Sequence, residues 1–180
     1  MSNVSISAQG LNLPEWTNEA GIFASKVMNE LKRDNWELSI LFCDDKKITE
    51  LNSQYRSKNE PTDILSFRLD EPPYAGKNDS TVYPGDIIIS LDTLRENSLY
   101  FNVGQDEELR RLIIHGILHL DGMDHATNDK NEPMLTLQEK ILDKFKNDYI
   151  IPDTSSEASR GSSSAAPRGI SSAASRGGKK

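Results

Sequence analysis

The chain has 180 residues, of which 36% are hydrophobic, and its formal net charge at pH 7 is −7. This length suits one domain with a substantial core. Residues 154–180 hold five of the 21 basic residues but only one of the 28 acidic ones, so residues 1–153 carry a net charge of −11. Such acidity excludes a general polyanion binder that works through bulk charge, and any nucleic-acid contact must come from a local basic cleft.

The cysteine content and the hydropathy exclude two further classes of protein. Cys43 is the sole cysteine, which rules out a disulfide framework and a thiolate metal cluster. The sequence contains no apolar run of membrane-spanning length and no signal-peptide pattern. We therefore expect a cytoplasmic protein without membrane association, in which Cys43 packs at the end of a buried strand.

The hydrophobic periodicity predicts strands and helices in an irregular order. The predicted elements are strand 4–8, helix 17–33, strand 37–43, a helix from the cap Asp44 to residue 55, strands 63–69 and 86–90, helix 92–100, a helix from the cap Asp106 to Gly122, and helix 134–149. A Pro/Gly/Asn-rich connection spans residues 71–85. This mixture without strict alternation predicts a single α+β domain, with a small mixed sheet of about four strands and about five helices.

The last 27 residues differ from the rest of the chain. Residues 154–180 are rich in Ser, Gly, Ala and Arg and contain one large aliphatic residue, Ile170. Such a segment buries too little surface to offset its ordering entropy, which predicts a disordered tail that need not be native. The folded domain is predicted to be residues 1–153.

All three histidines of the chain, His115, His119 and His125, fall within eleven residues. Two that stand four apart on a helix share one face. Gly122 can adopt a left-handed conformation, which ends the helix and returns His125 toward the other two. Three imidazoles with a fourth position open are typical of a catalytic zinc site rather than a closed structural one. Zinc suits three neutral imidazoles, although nickel, copper and iron accept the same ligands.

The residues around the histidines limit the reactions that this site could catalyse. Glycine inside a helix costs about 1 kcal/mol relative to alanine, so Gly116 indicates close packing or the close approach of a ligand. Zinc peptidases with this histidine spacing carry their general base, a glutamate, directly after the first histidine. Gly116 occupies that position here, which disfavours proteolysis. Asp124, the nearest carboxylate, is predicted to orient a ligand ring, to serve as a base, or to form a turn.

Three segments together resemble one family: LNSQYRSKNEPTDILSF (51–67), GDIIIS (85–90) and HGILHLDGMDH (115–125). In this order they are similar to the YbeY family of bacterial rRNA-maturation endoribonucleases, over roughly residues 37–145. The resemblance implies a small α+β fold and one zinc ion held by the three histidines. It also implies cleavage of single-stranded RNA, linked to maturation of the 16S rRNA 3′ end and to ribosome quality control. The ribosome and small-subunit factors are then candidate partners.

The resemblance also implies that Arg56 is a catalytic residue in the active cleft. A guanidinium binds phosphate through two hydrogen bonds and stabilises charge that develops during cleavage. Lys58 is a candidate second substrate-binding cation, with a solvated helix end as the alternative, and Ser66 is expected to face the cleft. The sequence departs from the family at Arg68, where a proline often follows the Ser-Phe pair. Arg68 either adds charge to the cleft or alters the connection.

The leading hypothesis is metal-dependent hydrolysis of single-stranded RNA. Its general base stays open among Asp124, a metal-bound hydroxide and the 2′-hydroxyl of the RNA. One alternative is another metallohydrolase. The other is a ribosome-associated binding module with a structural metal, which requires a fourth protein ligand, either Cys43 or a carboxylate.

Overall fold

A computed structural model of the chain describes residues 3–69 and 80–152. Its strands are β1 (Asn3–Gln9), β2 (Glu37–Cys43), β3 (Ile64–Arg68) and β4 (Gly85–Ser90). The helices of the described residues are α1 (Thr17–Glu30), α2 (Asp45–Arg56), α3 (Leu91–Phe101), α4 (Gln105–Leu120) and α5 (Pro133–Lys144). The predicted α+β class is confirmed. Most of the predicted connection 71–85 and all of the predicted tail lie outside the described residues.

The four strands form one mixed sheet in the order β1-β2-β4-β3. β1, β2 and β4 are parallel, whereas β3 is antiparallel to β4 and lies at the edge. Gly85 begins β4 with a φ of +135°, and a Cβ at this position would lie 1.9 Å from the carbonyl oxygen of Phe67. Only glycine permits this approach of the two backbones, so the sharp start of β4 fixes the pairing of β3.

The two faces of the sheet are covered by different helices. Ile87 and Ile89 belong to the main core, which includes α4. Ile88 faces the other way and packs with Cys43 and with Ile48 of α2. α4 is the most enclosed helix, because every residue from 108 to 118 is buried. The helix that carries two histidines is therefore surrounded by the rest of the fold along most of its length.

Several predicted helix ends need correction. Asp44 caps α2 as predicted, since its side chain accepts a hydrogen bond from the N–H of Lys47. The prediction that Asp106 caps α4 is wrong, because the N-cap is Gly104. Asp106 lies in the first turn instead, and its carboxylate accepts hydrogen bonds from the N–H groups of residues 150 and 151. Tertiary contacts have thus replaced the local cap.

Two helices are shorter than predicted. α5 ends at Lys144 rather than at residue 149, and the carbonyl of Phe145 accepts a hydrogen bond from Arg110 of α4. α1 ends at Glu30 rather than at residue 33, just before Lys32 adopts a positive φ of 58°. Among the described residues, none of the helices combines the length and the apolarity that crossing a membrane requires.

Candidate metal centre and its cleft

Three imidazoles meet at the C-terminal end of α4. His115 and His119 lie on successive turns, and Gly122, with a φ of +90°, returns the chain so that His125 joins them. The Nε2 atoms of His115 and His119 are 2.9 Å apart. One ring nitrogen from each of the three residues lies within 4.8 Å of the others. The predicted turn and the predicted convergence are confirmed.

The opposite nitrogen of each ring, Nδ1, faces a protein oxygen. The contacts join His115 to Gln138 Oε1 (2.8 Å), His119 to the carbonyl of Met123 (3.1 Å) and His125 to the carbonyl of Thr127 (3.0 Å). An oxygen without a proton can only accept, so each Nδ1 must donate. Each neutral ring therefore keeps its lone pair on Nε2, which is the arrangement that metal-binding histidines adopt.

The three lone pairs have no suitable partner among the described residues. Two acceptors face each other across the 2.9 Å gap between His115 and His119. The Nε2 of His125 is buried, and no hydrogen-bonding group in the described part of the chain reaches it. A buried acceptor without a partner costs about 1–3 kcal/mol. A cation bound by all three lone pairs removes this cost, and the donor set fits zinc.

Burial keeps the first two rings in the form that binds a metal. It lowers the pKa of His115 to about 3, aided by the positive charge that His119 would carry when protonated. Burial also lowers the pKa of His119, and nearby His125 and Arg56 add to the effect. Both imidazoles are therefore neutral near pH 7, with no proton to displace from Nε2.

Gln138 fixes the orientation of His115. Its amide nitrogen donates to Oε1 of Glu139 at 3.1 Å, and Arg111 donates to the same carboxylate oxygen at 2.9 Å. This contact turns the amide oxygen of Gln138 toward His115. Gln138 was not predicted from the sequence, although one signal was present: it is a buried polar residue on the otherwise apolar face of α5.

A cavity of about 340 Å³ opens above the imidazoles. The predicted residues Arg56, Lys58 and Ser66 line it together with the three histidines. Arg56 is the last residue of α2, and Ser57 follows it in a left-handed conformation that starts the loop to β3. The cleft thus brings cationic and hydroxyl groups next to the candidate metal centre.

Asn52 is a second residue that was not predicted from the sequence. Its side chain is buried on α2 and donates a hydrogen bond of 2.7 Å to the carbonyl of Glu60. This contact holds the loop that carries Lys58. The sequence feature that could have indicated Asn52 was again a polar residue at an inward position of a helix.

Asp124 lies beside the imidazoles but outside their hydrogen-bonding network. Its Oδ1 accepts a hydrogen bond of 2.8 Å from the N–H of His125 and lies 3.8 Å from Nδ1 of His119. The latter distance exceeds that of a hydrogen bond, and 87% of the side chain is exposed. Asp124 therefore influences His119 through charge alone, and its role as a base stays a prediction.

The geometry disfavours the peptidase version of the metallohydrolase alternative and the alternative with a structural metal. A Cβ on Gly116 would lie 2.7 Å from Cδ1 of Ile87, so this position faces β4 and provides no base to the cleft. A closed structural site needs a fourth ligand, yet the only metal-ligating cluster in residues 3–69 and 80–152 is the three histidines. Cys43 packs on the opposite face of the sheet, where burial raises the pKa of its thiol to about 12.

Fold and site together define a small α+β protein with three converging histidines beside a cleft that contains Arg56 and Lys58. The model of one family, described as endoribonuclease YbeY, matches residues 5–146. The chain belongs to this family, which confirms the resemblance seen in the sequence.

Individual relatives agree with this assignment. A Treponema denticola protein is 48% identical over 125 residues, which cover 69% of this chain and 81% of the relative. A Treponema pallidum protein is 43% identical over 142 residues, 79% of this chain and 89% of the relative. Both are named endoribonuclease YbeY. A solution structure from Thermotoga maritima aligns with a TM-score of 0.56 at 28% identity, over 79% of this chain and 91% of that one.

Proposed function

We propose that the chain is a zinc-dependent endoribonuclease that cleaves single-stranded RNA in the cytoplasm. Its proposed roles are maturation of the 16S rRNA 3′ end and ribosome quality control. Membership of the endoribonuclease YbeY family supports the ribonuclease activity. The observation that carries the metal dependence is the group of three ring nitrogens within 4.8 Å, whose lone pairs face one another.

Each cleft residue has its own proposed role in binding the substrate. When bound, zinc would polarise a phosphoryl oxygen or lower the pKa of a water molecule. In this proposal Arg56 holds the scissile phosphate, since a guanidinium can donate two parallel hydrogen bonds to it. Lys58 contributes a second positive charge and Ser66 a hydroxyl group. Because the rest of the domain is acidic, these local charges decide where an RNA strand docks.

The shape of the cleft supports a preference for unpaired RNA. The cavity of about 340 Å³ is bounded by the loop after α2 and by the segment after α4. Pockets of this size hold a ligand of drug-like size and are too small for a duplex. A backbone that is not constrained by pairing can bend its phosphate toward the imidazoles, as in other proteins that bind loops and ends of RNA.

The attacking group can be identified from the products. If the 2′-hydroxyl attacks, the product ends in a 2′,3′-cyclic phosphate, and a 2′-deoxy nucleotide at the cleaved position abolishes cleavage. If water attacks, the deoxy substrate is still cleaved. In that case Asp124→Asn lowers kcat and alters its pH profile only if Asp124 is the base.

Metal removal and restoration test the function directly. We expect cleavage of a single-stranded oligonucleotide to stop on chelation and to return with zinc, with a paired duplex cleaved far more slowly. His119→Ala should remain inactive after zinc is added. Equal cleavage by wild type and His119→Ala, or cleavage unaffected by chelation, would contradict the proposal.

A matched pair of arginine variants tests the role of Arg56. Arg56→Ala should lose about 10²–10³-fold in kcat while it still binds zinc, because an interaction with developing charge is removed. Arg95→Ala is the control, since Arg95 lies exposed on α3, where it pairs with Asp92. An Arg56→Ala enzyme as active as the control would remove Arg56 from the mechanism.

A further inference from the structure

A second cavity, of about 370 Å³, adjoins the first. Arg56, Ser66 and His119 line both cavities, whereas Arg68 and Asp124 line only the second. Because the shared residues form the boundary, the two cavities make one groove that passes His119. We call this the extended groove. It offers a path for more of an RNA strand than the scissile phosphate alone.

Arg68 lies at the far end of the extended groove. It is the last residue of β3 and is exposed, and alternation along the strand directs it to the same face as Ser66. A Cβ on Gly122 would lie 2.6 Å from Nη1 of Arg68. The absence of a side chain at Gly122 therefore gives the guanidinium room directly beside the turn that leads to His125.

The charges along the extended groove suit a polyanionic strand. Arg56 stands where the two cavities meet, and Arg68 adds a guanidinium beyond it. The carboxylates of Glu60 and Asp124 also line the groove, so it holds three cations, Arg56, Lys58 and Arg68, against two carboxylates. The domain as a whole is acidic, which makes two arginines in one groove a localised exception.

We infer that Arg68 binds a second phosphate of the RNA, on a nucleotide next to the one whose phosphate Arg56 holds. This subsite rests on the proposed function for the nature of its ligand. It would give the enzyme a preference for longer single strands over dinucleotides.

The test measures binding and cleavage separately. Binding of a labelled single-stranded RNA is followed by fluorescence anisotropy on the chelated protein, over a series of salt concentrations. Each phosphate neutralised on a single strand contributes about 0.7 to the slope of log K against log salt. We expect Arg68→Ala to weaken binding about 5-fold at low salt and to reduce the slope by about 0.7. Arg68→Lys should keep most of the slope because it keeps the charge.

Two controls separate this subsite from a structural role. Arg95→Ala removes an exposed arginine outside the groove and should leave affinity and slope at wild-type values. With zinc restored, Arg68→Ala should raise KM more for an eight-nucleotide RNA than for a dinucleotide. Unfolding temperatures of all variants establish that each is folded.

The outcomes also distinguish the subsite from the proposed function. If Arg68→Ala matches Arg95→Ala in affinity and slope while the wild type cleaves RNA, the inference is wrong and the function stands. If RNA binding depends on Arg68 but zinc restores no cleavage, the subsite stands and the proposed function is wrong.

Discussion

The two ends of α4 use charge in opposite ways. At the N-terminal end, around a cavity of about 670 Å³, the buried guanidinium of Arg111 donates hydrogen bonds to Glu107, Glu108 and Glu139. At the C-terminal end, around a cavity of only about 340 Å³, three imidazole nitrogens face one another. At the larger cavity the carboxylates surround a guanidinium, whereas at the smaller one three ring acceptors converge on one another. Converging acceptors, rather than cavity size, mark the candidate site.

The two ends are also joined. Oε1 of Glu139 accepts hydrogen bonds from both Arg111 and Gln138, and Gln138 in turn accepts one from His115. The charge network that stabilises the first end therefore orients a ring at the second. Changes at each end should separate stability from metal binding, and changes at Gln138 should affect the connection between them.

The largest effect on stability is expected at the N-terminal end. Arg111→Met leaves Glu108, whose residue is 1% exposed, buried without its main cationic partner. Breaking a buried pair in this way costs about 3–5 kcal/mol in the free energy of unfolding. Urea denaturation measures the loss. A decrease below about 1 kcal/mol would mean that this network contributes little to the fold.

The same variant has a predictable pH dependence. Burial raises the pKa of Glu108, and Arg111 opposes that rise. Without Arg111 the pKa of Glu108 in the folded state rises further above its ordinary value of 4.5. The native state then binds a proton that the unfolded chain does not, so stability is regained as the pH falls from the folded pKa toward 4.5. Adding Glu108→Gln to Arg111→Met should abolish this dependence, and its persistence would point to another group.

An intermediate effect is expected at Gln138, which links the two ends of α4. Gln138→Leu removes the acceptor that fixes the tautomer and orientation of His115, and such changes weaken metal binding about 10–100-fold. Competition with a chelating dye measures the zinc affinity. Gln138→Glu, which keeps an oxygen toward the ring, should bind zinc more tightly than Gln138→Leu. Equal affinities in wild type and Gln138→Leu would show that the ring is held by packing alone.

The smallest effect is expected from glycine substitutions at the two ends. Gly122→Ala places a side chain at a φ of +90° and against Arg68, at a cost of about 1–2 kcal/mol. Gly104→Ala is the comparison at the other end, because a Cβ there would meet no atom of the described residues within 4 Å and the φ is −66°, so that only the preference for glycine over alanine at the N-cap is lost. Thermal unfolding compares the two. Equal stability losses would argue that the left-handed turn before His125 is not required.

The sequence predicted the features that depend on local rules. The α+β class, the three-histidine cluster and the turn at Gly122 all follow from spacing or from backbone sterics. The incorrect prediction that Asp106 caps α4 shows where local rules fail. Its carboxylate bonds to backbone N–H groups 44 and 45 residues away, which no pattern in the first turn reveals.

The parts of the site that escaped prediction are long-range contacts. Gln138 is 23 residues from His115, and its role depends on how α5 packs against α4. The carbonyl partners of the other two rings are backbone atoms without a side-chain signature. Arg68 differs, because a charge in the cleft was one of the two alternatives that the sequence left open for it, and its position there depends on β3 lying beside the turn at Gly122. Buried polar residues on apolar helix faces were the one signal that could have indicated Gln138 and Asn52.

The most direct test of the candidate metal centre is the zinc content of the protein. Wild type and His119→Ala are chelated, dialysed against zinc, freed of excess metal and subjected to elemental analysis. Three converging lone pairs predict one zinc ion per wild-type chain and far less than one in a folded His119→Ala chain. A wild-type protein that retains no zinc, or a His119→Ala protein that retains a full equivalent, would contradict a three-histidine zinc site.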